Sequence, residues 1–506
     1  MIETAPPPRR DLHPASNRER IGLFGAIALA AAAHWAAFLG YYQFDDIGWL
    51  SEASEIGSAR DALLRFFRPF NEHLLPLPKM LAVFFLRADG IEYRLAPLWG
   101  LANLAAVQLL LWRLSLRWLR SPAARLSLVA LFGTSPLLNQ AVAWFSATIF
   151  MTSLALSLTA ILGVERFAEG RRRSGLAAIA FGCFFAPMSS GVGWPTVVAA
   201  AAAAWFRIGA ARETGALRWR AAAACALAAT AAYALLFSIC ILFIAPIGSG
   251  AGGESLAPLE RLAAGCGLAL KALALRQWAR IVFPPLGSML MALILVALIA
   301  FRGRYSLRLA FGALACSIGW LAFVYIPRAE FGDAALDWGR YHVYPLVGTA
   351  LLAALAVDGA MAAAPNLKRA KSIAAVAAIA LLLANGYATS KLVHRDFGDS
   401  PRRFVGGFCR EWATLVEEWA VRTGDGIVRL PDVRFAIVDF TEDLPLSTYS
   451  FCRPRQTKWR VEWLPADRPF PPDFVAFITS HPNAGTVRHF LRHDLYPEQF
   501  PDRSAR

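Results

Sequence analysis

Charge is scarce in this chain. Asp, Glu, Lys and Arg make up 17% of its 506 residues and hydrophobic types 57%, a balance that excludes an ordinary soluble protein of this length. Nucleotide and metal signatures are missing as well. There is no phosphate-binding Gly-x-x-x-x-Gly-Lys loop, no Gly-x-Gly-x-x-Gly set between a strand and a helix, and no His-Glu-x-x-His. The seven cysteines have no metal-ligand spacing. Cys183, Cys225, Cys240, Cys266 and Cys316 stand alone in or near apolar stretches, as core fillers do. Cys409 and Cys452 lie in the polar C-terminal part, where they either pair as a disulfide outside the cytoplasm or remain two thiols. No internal repeat is visible.

What the chain has instead is a series of long apolar runs rich in Ala and Leu, the mark of a polytopic helical membrane protein. About eleven spanning helices are predicted, near Ile21–Tyr42, Leu95–Leu114, Leu126–Leu138, Phe145–Val164, Leu176–Met188, Trp194–Phe206, Ala221–Ile244, Leu286–Phe301, Leu309–Tyr325, Val343–Met361 and Ile373–Ala388. The first run, about 20 residues, is long for a secretory signal and reads as a retained anchor. The formal net charge is +15. Its positives cluster between apolar runs, which points to membrane orientation and away from a nucleic-acid partner.

Arg9, Arg10, Arg18 and Arg20 precede the first run, and basic clusters recur at every second connection. That alternation predicts a cytoplasmic N-terminus, with residues 43–94, 189–193, 245–285 and 326–342 outside. An odd number of spans puts the C-terminal part outside too. The expected organisation is a disordered cytoplasmic stretch over 1–20, an all-α transmembrane domain over 21–390 and a small periplasmic α/β or α+β domain over 391–506, in the inner membrane of a bacterium. In that last part Val433–Phe440 and Phe474–Ile478 look strand-like and Pro401–Val421 helical.

The first outer segment is long for a connection, and long structured loops are usually functional. It opens with Asp45 and Asp46. Adjacent carboxylates at a bilayer surface suit a site that takes a proton, holds a cation, or both; the plainer alternative is a helix cap. Asp61–Phe70 reads as an interfacial helix, with Leu63, Leu64, Phe66, Phe67 and Phe70 apolar and Arg60, Arg65 and Arg68 able to reach headgroups. Met80–Leu86 is too short to span and reads as re-entrant or interfacial. Glu72 and His73 suit a substrate or a divalent cation (Mg2+ or Mn2+), or else form a polar turn before Pro76. Lys79 can meet a phosphate or snorkel to headgroups.

A third cluster, Arg340, Tyr341 and His342, stands at the outer start of the tenth run. A guanidinium there can grip phosphate bidentately, and its two neighbours can orient a substrate. Trp338, Tyr341 and Tyr344 are equally an interfacial aromatic belt. Arg328 and Glu330 read as an ion pair, and Asn139, Gln140 and Trp144 as weaker candidates for sugar contacts. By the charge pattern all of these residues share one membrane face.

At Phe44-Asp45-Asp46, the interfacial segment 61–86 and Arg340-Tyr341 followed by Pro345, the chain resembles the C-type superfamily of integral-membrane glycosyltransferases, which includes protein mannosyltransferases and aminoarabinose transferases. The resemblance implies a polyprenyl-phosphate-linked sugar as donor and a hydroxyl on a periplasmic glycan, lipid or protein as acceptor. It implies an Asp of the first outer loop as general base and leaves a divalent cation open. The alternative is a transporter or flippase of lipid-linked glycans, which calls for charges inside the helices and an internal repeat.

Overall fold

The computed structural model describes residues 16–42, 45–69, 73–90, 92–205, 212–244, 257–278, 280, 286–337, 339–363, 368–398, 405–424, 427–431, 434–435, 444–445, 460–465, 468–484 and 487. The first helix, α1 (Asn17–Ala33), starts inside the stretch expected to be disordered. A reciprocal cap explains this: the Ser16 hydroxyl accepts from Glu19 N–H, and the Glu19 carboxylate accepts from Ser16 N–H at 2.7 Å. The rest of that stretch, 1–15, lies outside the described residues.

Three short helices follow in the first long connection: α2 (Asp45–Ser54), α3 (Ala59–Phe66) and α4 (Pro76–Asp89). Then come α5 (Leu95–Trp118), α6 (Pro122–Thr134), α7 (Asn139–Ala143), α8 (Thr148–Ala168), α9 (Arg172–Ser189), α10 (Thr196–Ala204) and α11 (Arg212–Phe243). The second half holds α12 (Pro258–Lys271), α13 (Leu286–Ala300), α14 (Leu307–Tyr325), α15 (Val343–Ala363) and α16 (Lys368–Val393).

Among the described residues six stretches are helical, long and apolar enough to cross a membrane: Asn17–Leu39, Leu95–Trp118, Thr148–Ala168, Trp219–Phe243, Leu307–Tyr325 and Gly339–Ala363. A seventh forms if α6 and the helix after it, bent by 47° at Ser135, count as one span. Gly191–Ala204 and Gly287–Ala300 are apolar but shorter. Helices α9 and α16 occupy the fifth and eleventh predicted runs. The chain is thus an all-α polytopic membrane protein in its main body. Large apolar side chains such as Ile299, Phe311 and Val376 face outward, which is stable where lipid tails are the solvent. Helix pairs then associate through close packing. Along the α8–α9 seam a Cβ on Gly163 would stand 2.8 Å from the Gly175 carbonyl, so only glycine fits there.

Contacts sort the connections between two ends of the bundle. At one end Arg125 pairs with Glu19 at 2.9 Å and Arg117 with Glu169 at 2.7 Å. There too Asp358 accepts the N–H groups of Arg120 and Ser121, and Gly359 packs on Phe301. At the other end the Gln140 carboxamide accepts from Arg340 N–H, the Asn139 amide donates to Asp396, the Trp320 indole donates to the Val192 carbonyl, and His73 lies over Gly191. This is the partition that the alternating basic clusters imply.

Loop helix α3 buries no residue; Leu63 and Leu64 are exposed, as an interfacial helix requires, while Arg65 pairs with Asp61 and Glu55. The C-terminal part begins with α17 (Val405–Thr423) and ends, among the described residues, near α18 (Pro472–Ser480). Between them β1 (Ile427–Pro431) pairs in parallel with β4 (Arg460–Leu464), and β2 (Arg434–Phe435) pairs antiparallel with β3 (Leu444–Pro445). Phe474–Ile478 is therefore helix, not strand. Pro472 in the first turn and Asp473 beside it favour a helix start, and Phe474, Phe477 and Ile478 fall on one buried face. Most of Val433–Phe440 lies outside the described residues, as does Cys452; Cys409 is buried. One apolar cluster joins this part to the first long connection: Tyr41, Trp49, Leu50 and Phe85 with Phe408, Trp412, Leu415 and Phe474. The C-terminal part and the acidic loop therefore sit at the same end of the bundle.

Candidate functional site

The two adjacent acids at the start of α2 point different ways. A carboxylate in the first turn of a helix is favoured by the unpaired N–H groups there. Asp45 is exposed. Asp46 is fully buried, and its Oδ1 accepts from Ser146 N–H at 2.6 Å. Aromatic rings close over it: Tyr42 meets Tyr93 edge-on at 4.8 Å, and Trp49 meets Phe145 edge-on at 5.9 Å. The Tyr93 hydroxyl donates to the Ala143 carbonyl at 2.7 Å. Burial, and after it the nearby Asp89 and Asp46 carboxylates, hold Tyr42 above the ordinary phenol range. Burial first, then Asp46 and Tyr42, do the same to Tyr93. Both phenols keep their protons at neutral pH.

Lys79 is buried and already engaged. Its ammonium pairs with Glu52 at 3.1 Å and donates to the carbonyls of Arg65 and Arg68 at 3.2 and 3.0 Å. It thereby fastens the end of α3 to α2 and α4. Burial lowers its proton affinity, and Glu52 offsets part of that. The His73 ring stacks against the α9–α10 turn, where a Cβ on Gly191 would come within 2.5 Å of the imidazole. Its expected partner Glu72 lies outside the described residues. Among the described residues no three His, Cys, Asp or Glu side chains gather as a metal-ligand set.

Arg340 stacks over the Trp144 ring at 4.9 Å and the Tyr341 ring at 5.1 Å, and its N–H donates to Gln140 Oε1 at 3.1 Å. Tyr341 is buried. Arg328 Nε donates to its hydroxyl at 2.9 Å, so Arg328 does not serve the expected pair with Glu330, whose acid lies 3.7 Å from Arg261. His342 is buried, with Nε2 against the Tyr325 hydroxyl at 3.2 Å. Trp338 lies outside the described residues.

One short stretch, residues 139–146, carries both clusters. Ser146 and Ala143 hold the acidic loop; Gln140 and Trp144 hold Arg340. Asn139, Gln140 and Trp144, read from sequence as weak candidates, are thus the hinge of the arrangement. On the far side of that stretch opens a cavity of about 230 Å3, walled by Asn139, Gln140, Arg276, Arg280, His342, Arg395 and Asp396 among others. Asp45, Asp46 and Lys79 are not in its wall. Arg276 and Arg280 went unnoticed in the sequence; their spacing of four, which puts two like charges on one helix face, is the signal that marks them.

No known protein family matches this sequence, and no curated protein matches it either.

Proposed function

We propose that the protein is a membrane glycosyltransferase of the C-type architecture, with about eleven spans and a periplasmic C-terminal domain. It moves a sugar from a polyprenyl-phosphate donor to a hydroxyl on a periplasmic glycan, lipid or protein. The observation that carries this reading is the shared mounting of an acid and a guanidinium: within residues 139–146, Ser146 N–H holds Asp46, Gln140 accepts from the Arg340 backbone N–H, and the Arg340 guanidinium lies over the Trp144 ring.

The two acids divide the work. Asp46, buried on Ser146, sets the position of the turn, and the exposed Asp45 is the general base. Asp45 takes the proton from the acceptor hydroxyl as its oxygen attacks the anomeric carbon. The bond to the phosphate oxygen breaks with inversion, and Arg340 meets the charge that develops on the leaving lipid phosphate. Lys79 positions the loop through Glu52 and the α3 carbonyls. The absence of ionisable side chains from the middle of most spans favours this reading over a flippase.

The test uses membranes containing the folded protein and a radiolabelled polyprenyl-phosphate sugar. Asp45→Asn should lower transfer by about 10²–10⁴-fold. Full transfer by both Asp45→Asn and Asp46→Asn would remove the mechanism.

A further inference from the structure

The turn between α13 and α14 carries three arginines within seven residues, Arg302, Arg304 and Arg308, at the end of the bundle opposite the acidic loop. Local hydrogen bonds fix its shape. Arg304 N–H donates to the Phe301 carbonyl at 2.8 Å, and the Tyr305 hydroxyl donates to the Leu298 carbonyl at 2.8 Å. The Ser306 hydroxyl caps α14 by accepting from Leu309 N–H. Gly359 of α15 backs the turn, where a Cβ would come within 2.9 Å of Phe301.

All three arginine side chains are exposed, and none has an ion-pair or hydrogen-bond partner among the described residues. Other arginines at this end are matched: Arg117 with Glu169, and Arg125 with Glu19. Asp358, the one acid of α15, is buried and accepts from the N–H groups of Arg120 and Ser121 instead. The first turn of α14 holds no acid, so Arg308 sits where the helix dipole disfavours a cation. The same turn borders lipid-facing surface. Ile299, Leu307 and Phe311 are exposed, Leu307 and Phe311 lie one helical turn apart, and Phe311 is within reach of Arg308. A water-borne anion would use the charge and leave this apolar rim idle; a lipid with a negative headgroup uses both.

We propose that the α13–α14 turn binds an anionic phospholipid, its phosphate held by Arg302, Arg304 and Arg308 and its acyl chains lying along Ile299, Leu307 and Phe311. Guanidinium forks match phosphate oxygens two at a time, and basic side chains just beyond an apolar helix end attract anionic headgroups. The bound lipid fastens the α13–α14 hairpin beside α15, at the end remote from the acidic loop. The claim does not rest on the transferase reading.

Full-length protein in detergent micelles, titrated with dioleoylphosphatidylglycerol or with dioleoylphosphatidylcholine and read by native mass spectrometry, tests it without any transfer assay. Wild-type protein should take phosphatidylglycerol about tenfold more tightly than phosphatidylcholine. The triple substitution Arg302→Gln, Arg304→Gln and Arg308→Gln should abolish most of that preference. Arg304→Gln alone, at an exposed side chain outside both helices, should reduce it about threefold. Arg172→Gln with Arg173→Gln is the control. It removes exposed arginines from the same end, where no large apolar side chain is exposed between residues 165 and 180, and should leave the preference unchanged. Glycerol 3-phosphate, a phosphate without acyl chains, should compete poorly. Four results each overturn the proposal: equal affinity for the two lipids, a preference that survives the triple substitution, an equal loss in the control, or competition by glycerol 3-phosphate at the affinity of the lipid.

Discussion

Residues 139–146 separate two flanks that handle charge in opposite ways. On the loop flank, Asp46 and Lys79 are buried, each satisfied by its neighbours, and aromatic rings from Tyr42, Tyr93, Trp49 and Phe145 seal the space around them. On the other flank Arg276, Arg280, Arg395 and Asp396 line a cavity of about 230 Å3 among the described residues. Buried charge that is fully paired stiffens a structure, whereas charged side chains around a cavity keep a polar space within it. The loop flank thus packs solidly around its charges and leaves one acid, Asp45, at the surface, while the arginine flank keeps an open, polar space.

The strongest way to break this contrast is to unpair the loop. Lys79→Met leaves Glu52 without its cation and frees two carbonyls, and should cost about 3 kcal/mol in thermal unfolding. Adding Glu52→Gln should recover much of it. Loss of less than the ordinary effect of a surface charge would show that the loop is not fastened there. Asp46→Ala should cost about 1–3 kcal/mol, because Ser146 N–H is left buried and unpaired. Asp46→Asn keeps an acceptor oxygen and should cost less; equal losses would mean that charge, not the hydrogen bond, holds the turn. Gln140→Ala should cost about 1 kcal/mol and, by releasing Arg340 N–H, should disturb the arginine flank and leave loop proteolysis unchanged.

The smallest effect sharpens the comparison through pH. Burial holds Lys79 below its ordinary ammonium range, so the unfolded chain binds that proton more tightly. Its contribution to stability therefore rises with pH between the depressed native value and the ordinary one, near 10.4. Tyr42 and Tyr93 act in the opposite sense. Their native proton affinities lie above the ordinary phenol range, so stability falls as pH climbs past about 10. Tyr42→Phe removes a buried hydroxyl that has no partner among the described residues. It should raise stability by about 1 kcal/mol and flatten the alkaline fall, measured as midpoint temperature against pH. An unchanged alkaline slope would detach Tyr42 from the loop's pH response.

Much of the body of the protein was legible because its signals are local. An apolar run of sufficient length must form a helix in lipid, since no other structure satisfies its backbone there. The alternation of basic clusters foretold which connections meet, and the pairs Arg125–Glu19 and Gln140–Arg340 lie at the two ends it implies. Legibility failed where a short apolar run carries no period, as at Phe474–Ile478, and where partners lie far apart in the chain. Arg328 beside Glu330 looked like a pair, yet Arg328 binds Tyr341 instead.

From its residues alone the chain determined that it is helical, lies in a membrane and has two chemically different faces, because hydrophobic length and charge placement act on each segment separately. Only the tertiary structure decided that Asp46 is buried while Asp45 is exposed, that Lys79 is consumed by Glu52, and that Arg276, Arg280 and Arg395 share one cavity. Those outcomes depend on which distant segments pack together, and the packing is set by surfaces that no single stretch of sequence carries.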